Sequence, residues 1–249
     1  PNKDLHSGGY GGAVANPINA LVTMLATLKD EKGRVTVPGF YDRVQPIGPA
    51  ELESWRKLPF SEQDFARSVG VDALPGEEGY SVLERLWARP TLDINGIWGG
   101  YQGEGSKTVL PARAGAKVSM RLVPDQDDHE IFDLVKAHLL KVAPQGVKVE
   151  VTNLHGGLPV ALDPAAGPVQ AARAAFERAY PGREVALIRS GGSIPVVATF
   201  KTELGAPVLL VDLGLPDDGA HGPNERYSVD CFHRGVDIAG YLYEEIARL

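Results

Sequence analysis

His221 stands in Gly214-Leu-Pro-Asp-Asp-Gly-Ala-His221-Gly-Pro-Asn-Glu225, a glycine- and proline-rich loop between an apolar run at 207–213 and a long helical pattern. Open α/β sheets place their chemistry on loops beyond the C-terminal ends of strands. An imidazole there can ligate a metal, act as a base or cap the next helix. A catalytic zinc takes three protein ligands and a two-metal site takes more, mostly Asp, Glu and His. The chain holds no His-x-Asp and no His-Glu-x-x-His. If His221 binds metal, its partners lie outside this chain.

Other stretches offer parts of a site. His6 runs into Gly8-Gly-Tyr-Gly-Gly12, which lacks the Lys-Ser/Thr ending of a phosphate loop and the G-x-G-x-x-G spacing of a dinucleotide site. A tight backbone turn is the plainer reading, with His6 as a capping or packing residue. Ser190-Gly-Gly-Ser193-Ile-Pro195 resembles a nucleophile elbow, but Pro195 stands where the elbow needs glycine. Ser193 reads equally as a helix cap, and the N–H groups of such a helix start suit an anionic substrate group. Thr108 enters a strand from the loop that begins at Gly103. Arg121 is either a surface residue or a bidentate carboxylate binder. His129, His138, His155 and His233 have no ligand-spaced neighbours and read as structural or solvent-facing, and Cys231 as a buried helix-start residue.

The elements that must position these groups follow from periodicity. Asp4 to Ser7 forms the tail of a strand. Asn16-Pro17 caps a helix carrying Ile18, Leu21, Val22, Leu25 and Leu28 at helical spacing. Residues 30–90 read as an irregular insertion with some helix. Residues 91–98 and 115–123 are strands. In the second, Ala116, Val118, Met120 and Leu122 face one way and Lys117, Ser119 and Arg121 the other. Ile131, Leu134, Val135, Leu139 and Val142 make an amphipathic helix, and Val147, Val149 and Val151 a last half-buried strand. This order is that of a ferredoxin-like split arrangement. Beyond a hinge near 158, helices at about 165–180, 194–204 and 232–248 alternate with strands at 184–188 and 207–213, as in part of an open α/β sheet.

The bulk numbers narrow the class. A formal charge of −7 and a pI near 5.4 argue against nucleic acid or an anionic membrane as partner. No apolar run is long enough for a membrane span. The lone cysteine fits a reducing compartment, so a cytoplasmic location is expected. With no initiator Met, the sequence reads as beginning partway through a longer protein.

Five motifs occur in order: Asp4-Leu-His6-Ser-Gly, Lys107-Thr108-Val-Leu-Pro111, Ser119-Met-Arg121-Leu-Val-Pro124, Gly191-Gly-Ser193-Ile-Pro195 and Asp217-Asp-Gly-Ala-His221-x-x-Asn-Glu225. Together they resemble the carnosinase-like dipeptidases of the dinuclear-zinc aminoacylase and carboxypeptidase superfamily, over essentially the whole chain. The resemblance implies an α/β protein with a ferredoxin-like four-stranded lid carrying two helices, residues 1–158, through which subunits form a homodimer. Residues 159–249 would be the C-terminal portion of a catalytic domain. His221 would be a zinc ligand in a site of two ions. His6 would reach the neighbouring subunit's site and stabilise an oxyanion. Arg121, Thr108 and Ser193 would hold the carboxylate of a small peptide substrate. One metal would polarise the scissile carbonyl while a metal-activated water attacks it.

The same resemblance implies that the N-terminal half of the catalytic domain, with the general base and the remaining ligands, is absent. The chain alone is therefore expected to be inactive. Gly222-Pro223 departs from the small polar residues usual in that family. The alternatives at this point are a serine hydrolase using Ser193 with His221, and a non-enzymatic dimerisation module.

Overall fold

A computed structural model describes residues 1–191 and 194–249, without the side chain of Pro195. The chain divides into two compact units. The first comprises Pro1–Glu53, Pro59–Pro159 and Arg189–Pro195, the second Ser54–Leu58, Val160–Ile188 and Val196–Leu249.

The first unit begins with β1 (Leu5–His6), the short α1 (Ser7–Tyr10) and α2 (Pro17–Ala26). Asn16 starts α2 as expected, its Oδ1 accepting the Ile18 N–H at 2.9 Å with Pro17 in the first turn. Within the insertion lie α3 (Pro49–Arg56), whose last three residues are assigned to the second unit, α4 (Glu62–Val69) and α5 (Val82–Trp87). Ser81 and Glu84 form a reciprocal capping box on α5. There follow β2 (Thr91–Gly99), β3 (Val109–Leu110), β4 (Ala114–Arg121) and α6 (Asp128–Val142), whose start is capped by Asp127.

Among the described residues, sheet pairing takes the form of two antiparallel ladders, β1 with β3 and β2 with β4. The long ladder sets Leu92 opposite Met120 and Thr91 opposite Arg121, with a bulge between Ile94 and Gly96. Its inward residues meet α2 and α6: Leu92, Met24, Leu25, Leu28, Ile131, Val135 and Leu139 are buried together with Val35, Val37 and Phe40. Ala116, Val118 and Met120 pack against this core while Lys117, Ser119 and Arg121 are exposed, so the period-2 reading of β4 holds. Residues 147–151 keep the expected alternation, with Val149 and Val151 against the core, but they lie outside the two ladders.

Two polar devices, not evident from periodicity, brace this unit: one joins the insertion to the turn before α6 and the other ties the insertion's own segments together. Gln126, 3% exposed, accepts the Val123 N–H through Oε1 and donates through Nε2 to the Phe40 carbonyl. Glu77, 8% exposed, receives Nε and Nη2 of Arg89 at 2.7 and 2.6 Å and Nη1 of Arg34 at 3.0 Å. Both guanidinium groups also stack over the Tyr41 ring, and Arg89 over Tyr80. A buried carboxylate is tolerable only when paired in this way. Burial raises the Tyr41 phenol above its ordinary range despite the Val35 N–H that its oxygen accepts.

The second unit contains α7 (Gly167–Ala179), most of α8 (Pro195–Leu204) and α9 (Val229–Ile246). Ala175, Ala179 and Ile238 are buried between α7 and α9. Arg178 bonds Glu244 and Glu245 and lies 4.0 Å above the Tyr241 ring, while Arg234 donates to the Ala179 carbonyl. Cys231 is buried at the start of α9, whose cap is Ser228.

The runs at 184–188 and 207–213, expected as strands, form no ladder among the described residues. Strand conformation depends on a hydrogen-bonded neighbour, and this unit's described residues supply none. Leu210, which a buried strand would enclose, is 60% exposed.

Candidate functional site

The first motif folds onto the second. Leu5 pairs with Leu110 and His6 with Val109. Asp4 Oδ1 accepts the Ala112 N–H at 2.8 Å, and the Ser7 N–H donates to the Thr108 carbonyl at 3.0 Å. This clamp carries the exposed His6 ring to Thr108, with Nε2 3.3 Å from Oγ1. On the other side of the ring, Nδ1 accepts the Gly8 N–H at 3.0 Å. His6 is therefore a capping residue, as its sequence context allowed, and its capping bond leaves Nε2 facing Thr108.

Arg121 occupies a different place. It is exposed at the C-terminal end of β4, opposite Thr91, whereas Thr108 is joined to the start of that strand through Pro111–Arg113. The ends of an eight-residue strand lie about 24 Å apart. His6 and Thr108 are brought together, and Arg121 sits at the other end of β4 from the residue where that strand begins. Ser193 falls outside the described residues.

His221 belongs to a loop closed on itself. Asp218, 8% exposed, accepts the Leu215 N–H through Oδ2 at 2.7 Å, and its carbonyl accepts the Arg226 N–H at 2.9 Å. The Arg226 guanidinium pairs with Asp217 and lies 4.0 Å from Asp218 Oδ1, which is buried without a hydrogen-bond partner among the described residues. His221 itself is exposed at φ 62°, a left-handed conformation rare for a side-chain-bearing residue. Among the described residues no group of three or more His, Cys, Asp or Glu is disposed to hold a metal ion. An exposed imidazole can serve as one ligand. The described residues do not make a complete centre around it.

The remaining histidines behave as expected. His138 bonds Thr27 Oγ1 at 2.8 Å, linking α6 to the end of α2, and His233 packs edge-on against Phe232. His129 and His155 are exposed.

Comparison with known proteins decides the family. Residues 1–147 match the model of the M20 peptidase dimerisation domain. The chain belongs to the M20 metallopeptidase family. Over 250 residues this M20 chain is 35% identical to the Cys-Gly metallodipeptidase dug1 of Schizosaccharomyces pombe, covering 99% of the chain and 52% of the relative. The Beta-Ala-His dipeptidase of Homo sapiens is 31% identical over 251 residues, which is 100% of this chain and 49% of that protein. The solved structure of the M20 family metallo-carboxypeptidase Sso-CP2 from Sulfolobus solfataricus matches with a TM-score of 0.88 at 30% identity, covering 100% of this chain and 56% of the other. The chain thus spans about half the length of the curated relatives it matches. The mixed α/β class and the dipeptidase resemblance both hold, and these relatives are metallopeptidases rather than serine hydrolases.

Sequence reasoning missed the roles of Gly8, Asp4 and Asp218. Asp4 and Asp218 lie inside the recognised motifs, but their backbone partners become visible only when the loops close. For Gly8 a signal existed: glycine two residues after a capping histidine allows close approach by the ring. A Cβ at Gly8 would stand 3.0 Å from His6 Cε1.

Proposed function

We propose that this chain is the dimerisation and C-terminal catalytic portion of a zinc-dependent M20 dipeptidase. Residues 1–158 act as the lid and dimer domain, and 159–249 complete a catalytic domain with a further N-terminal portion. The observation that carries the reading is the His6–Thr108 pair, an exposed imidazole fixed by two bonds within a peptidase dimerisation domain. A fixed N–H donor suits an oxyanion that develops on a substrate carbonyl. His6 would serve the partner subunit's site.

In this reading Arg121 holds the C-terminal carboxylate of a dipeptide, with Thr108 and Ser193 assisting. A planar guanidinium matches that group bidentately. An anion site at a set distance from the reacting centre limits the substrate to two residues. Zinc is the implied cofactor, two ions in the complete enzyme, with His221 as one ligand and the others beyond this chain.

Large apolar side chains left at the surface support both contacts the reading requires. In the first unit Ile94, Ile97 and Trp98 of β2 and Val22 of α2 are exposed, which fits a subunit interface. In the second unit Val229, Phe232, Val236 and Tyr243 form a stripe along α9 on positions other than those facing α7. We assign that stripe, with Leu210 and Val211, to the remaining portion of the catalytic domain.

The test is hydrolysis of Cys-Gly and β-Ala-His, the dipeptides for which the relatives are named. The purified 249-residue chain with added zinc should be inactive, and activity should appear when the N-terminal portion is supplied. Hydrolysis by the chain alone, or none by the reconstituted protein, overturns the proposal.

A further inference from the structure

We infer that Gly8 is a positioning residue for His6, one that fixes both the tautomer and the seat of the imidazole. A neutral imidazole has one N–H donor and one bare nitrogen. The Gly8 N–H points at Nδ1 from 3.0 Å, so Nδ1 is the acceptor and the ring proton sits on Nε2. That proton faces Thr108 Oγ1 at 3.3 Å. The two contacts agree on one tautomer, with each ring nitrogen used once. The Nδ1–H tautomer would set two donors, Gly8 N–H and Nδ1–H, against each other.

Gly8 does this because it lacks a side chain. A Cβ there would lie 3.0 Å from Cε1 and 3.2 Å from Nδ1 of His6, closer than such contacts ordinarily come. The ring would have to give by a few tenths of an ångström, away from its present seat on the Gly8 N–H. At Gly9, by contrast, a Cβ would meet nothing within 4 Å. Neither glycine has the positive φ that would by itself demand glycine, as Gly12 does at 81°. The requirement at position 8 is therefore for space beside the imidazole. A tautomer fixed before substrate arrives presents a single donor, Nε2–H, and the long bond to Thr108 is one that a substrate oxygen can replace. Only this last use rests on the role proposed above for His6; the tautomer itself does not.

Long-range ¹H–¹⁵N correlation spectra of the ¹⁵N-histidine-labelled chain report the tautomer of each of its six histidines, with His6→Gln assigning the His6 signals. His6 should show a protonated Nε2 and a bare Nδ1. Gly8→Ala should move those signals toward the averaged values of a freely exchanging imidazole, and Gly9→Ala should leave them in place. The His138 signals, from a ring bonded elsewhere to Thr27, report whether each variant is folded. An averaged or Nδ1–H signature in the unmodified chain overturns the inference, even if Gly8→Ala does not fold. So does a folded Gly8→Ala chain with unchanged His6 signals. The oxyanion role fails separately, if His6→Gln leaves the reconstituted enzyme fully active while the tautomer is as stated.

Discussion

Thr108 Oγ1 lies 3.3 Å from His6 Nε2 across 102 residues of sequence. The two-residue ladder of β1 and β3 and the Asp4–Ala112 clamp bring them together. Two motifs far apart in the chain are thus one physical unit. In the proposed enzyme, His6→Ala should lower kcat by about 10²–10³-fold, the effect of losing one oxyanion donor. Because His6 caps only the four-residue α1 from an exposed position, the loss of stability should not exceed that of a lost cap, about 0.5–2 kcal/mol. Mixed dimers of His6→Ala with His221→Ala subunits should recover activity if His6 acts across the interface. No recovery despite demonstrated subunit exchange rules that out.

Arg121 makes a separable prediction. Arg121→Ala should reduce kcat/KM for free dipeptides by roughly 10–150-fold, the equivalent of a hydrogen bond to a charged group. Dipeptide amides, which lack the carboxylate, should react equally slowly with both forms. An equal loss on acids and amides would exclude carboxylate capture.

The Glu77 cluster concerns stability. Glu77→Ala leaves Arg89, 9% exposed at its side chain, without its carboxylate. Breaking a buried pair from one side costs about 3–5 kcal/mol. Urea unfolding should show a loss of that size. A shift below about 1 kcal/mol would mean that solvent reaches Arg89 easily.

On α9, Phe232 is 58% exposed. Phe232→Asp should change the stability of the isolated chain by no more than about 0.5 kcal/mol, as for surface substitutions generally. The same change should prevent reconstitution with the N-terminal portion. Unimpaired reconstitution would show that the stripe is not the covered face.

Glu245 predicts a pH dependence. Partial burial pushes its carboxyl up, but bonds and attraction from Arg178 and Arg248 outweigh this and hold it below the ordinary value. Folding therefore favours the ionised form. The contribution is fully present above the unfolded-state value, near pH 4.3, and is lost as pH falls through the lower folded-state value. Glu245→Gln should flatten the acid limb of a plot of urea midpoint against pH. An unchanged limb would mean that these exposed pairs contribute nothing measurable.

Much of this molecule could be read without coordinates. The cap at Asn16, the two faces of β4 and the amphipathic α6 follow from local spacing, because a cap or a pleat depends on residues within a few positions of each other. The ordered motifs carried the family. Residues 207–213 show the limit of such reading. Their composition suits a buried strand, but a strand exists only where a neighbour completes its hydrogen bonds, and composition does not reveal whether the neighbour is there. His6 and Thr108 show the same limit at the site. Sequence supplied both residue types and left His6 open between cap and catalyst. The tertiary structure decided which ring nitrogen is capped and which faces Thr108, because both bonds depend on where folding places a backbone amide and a hydroxyl around one ring.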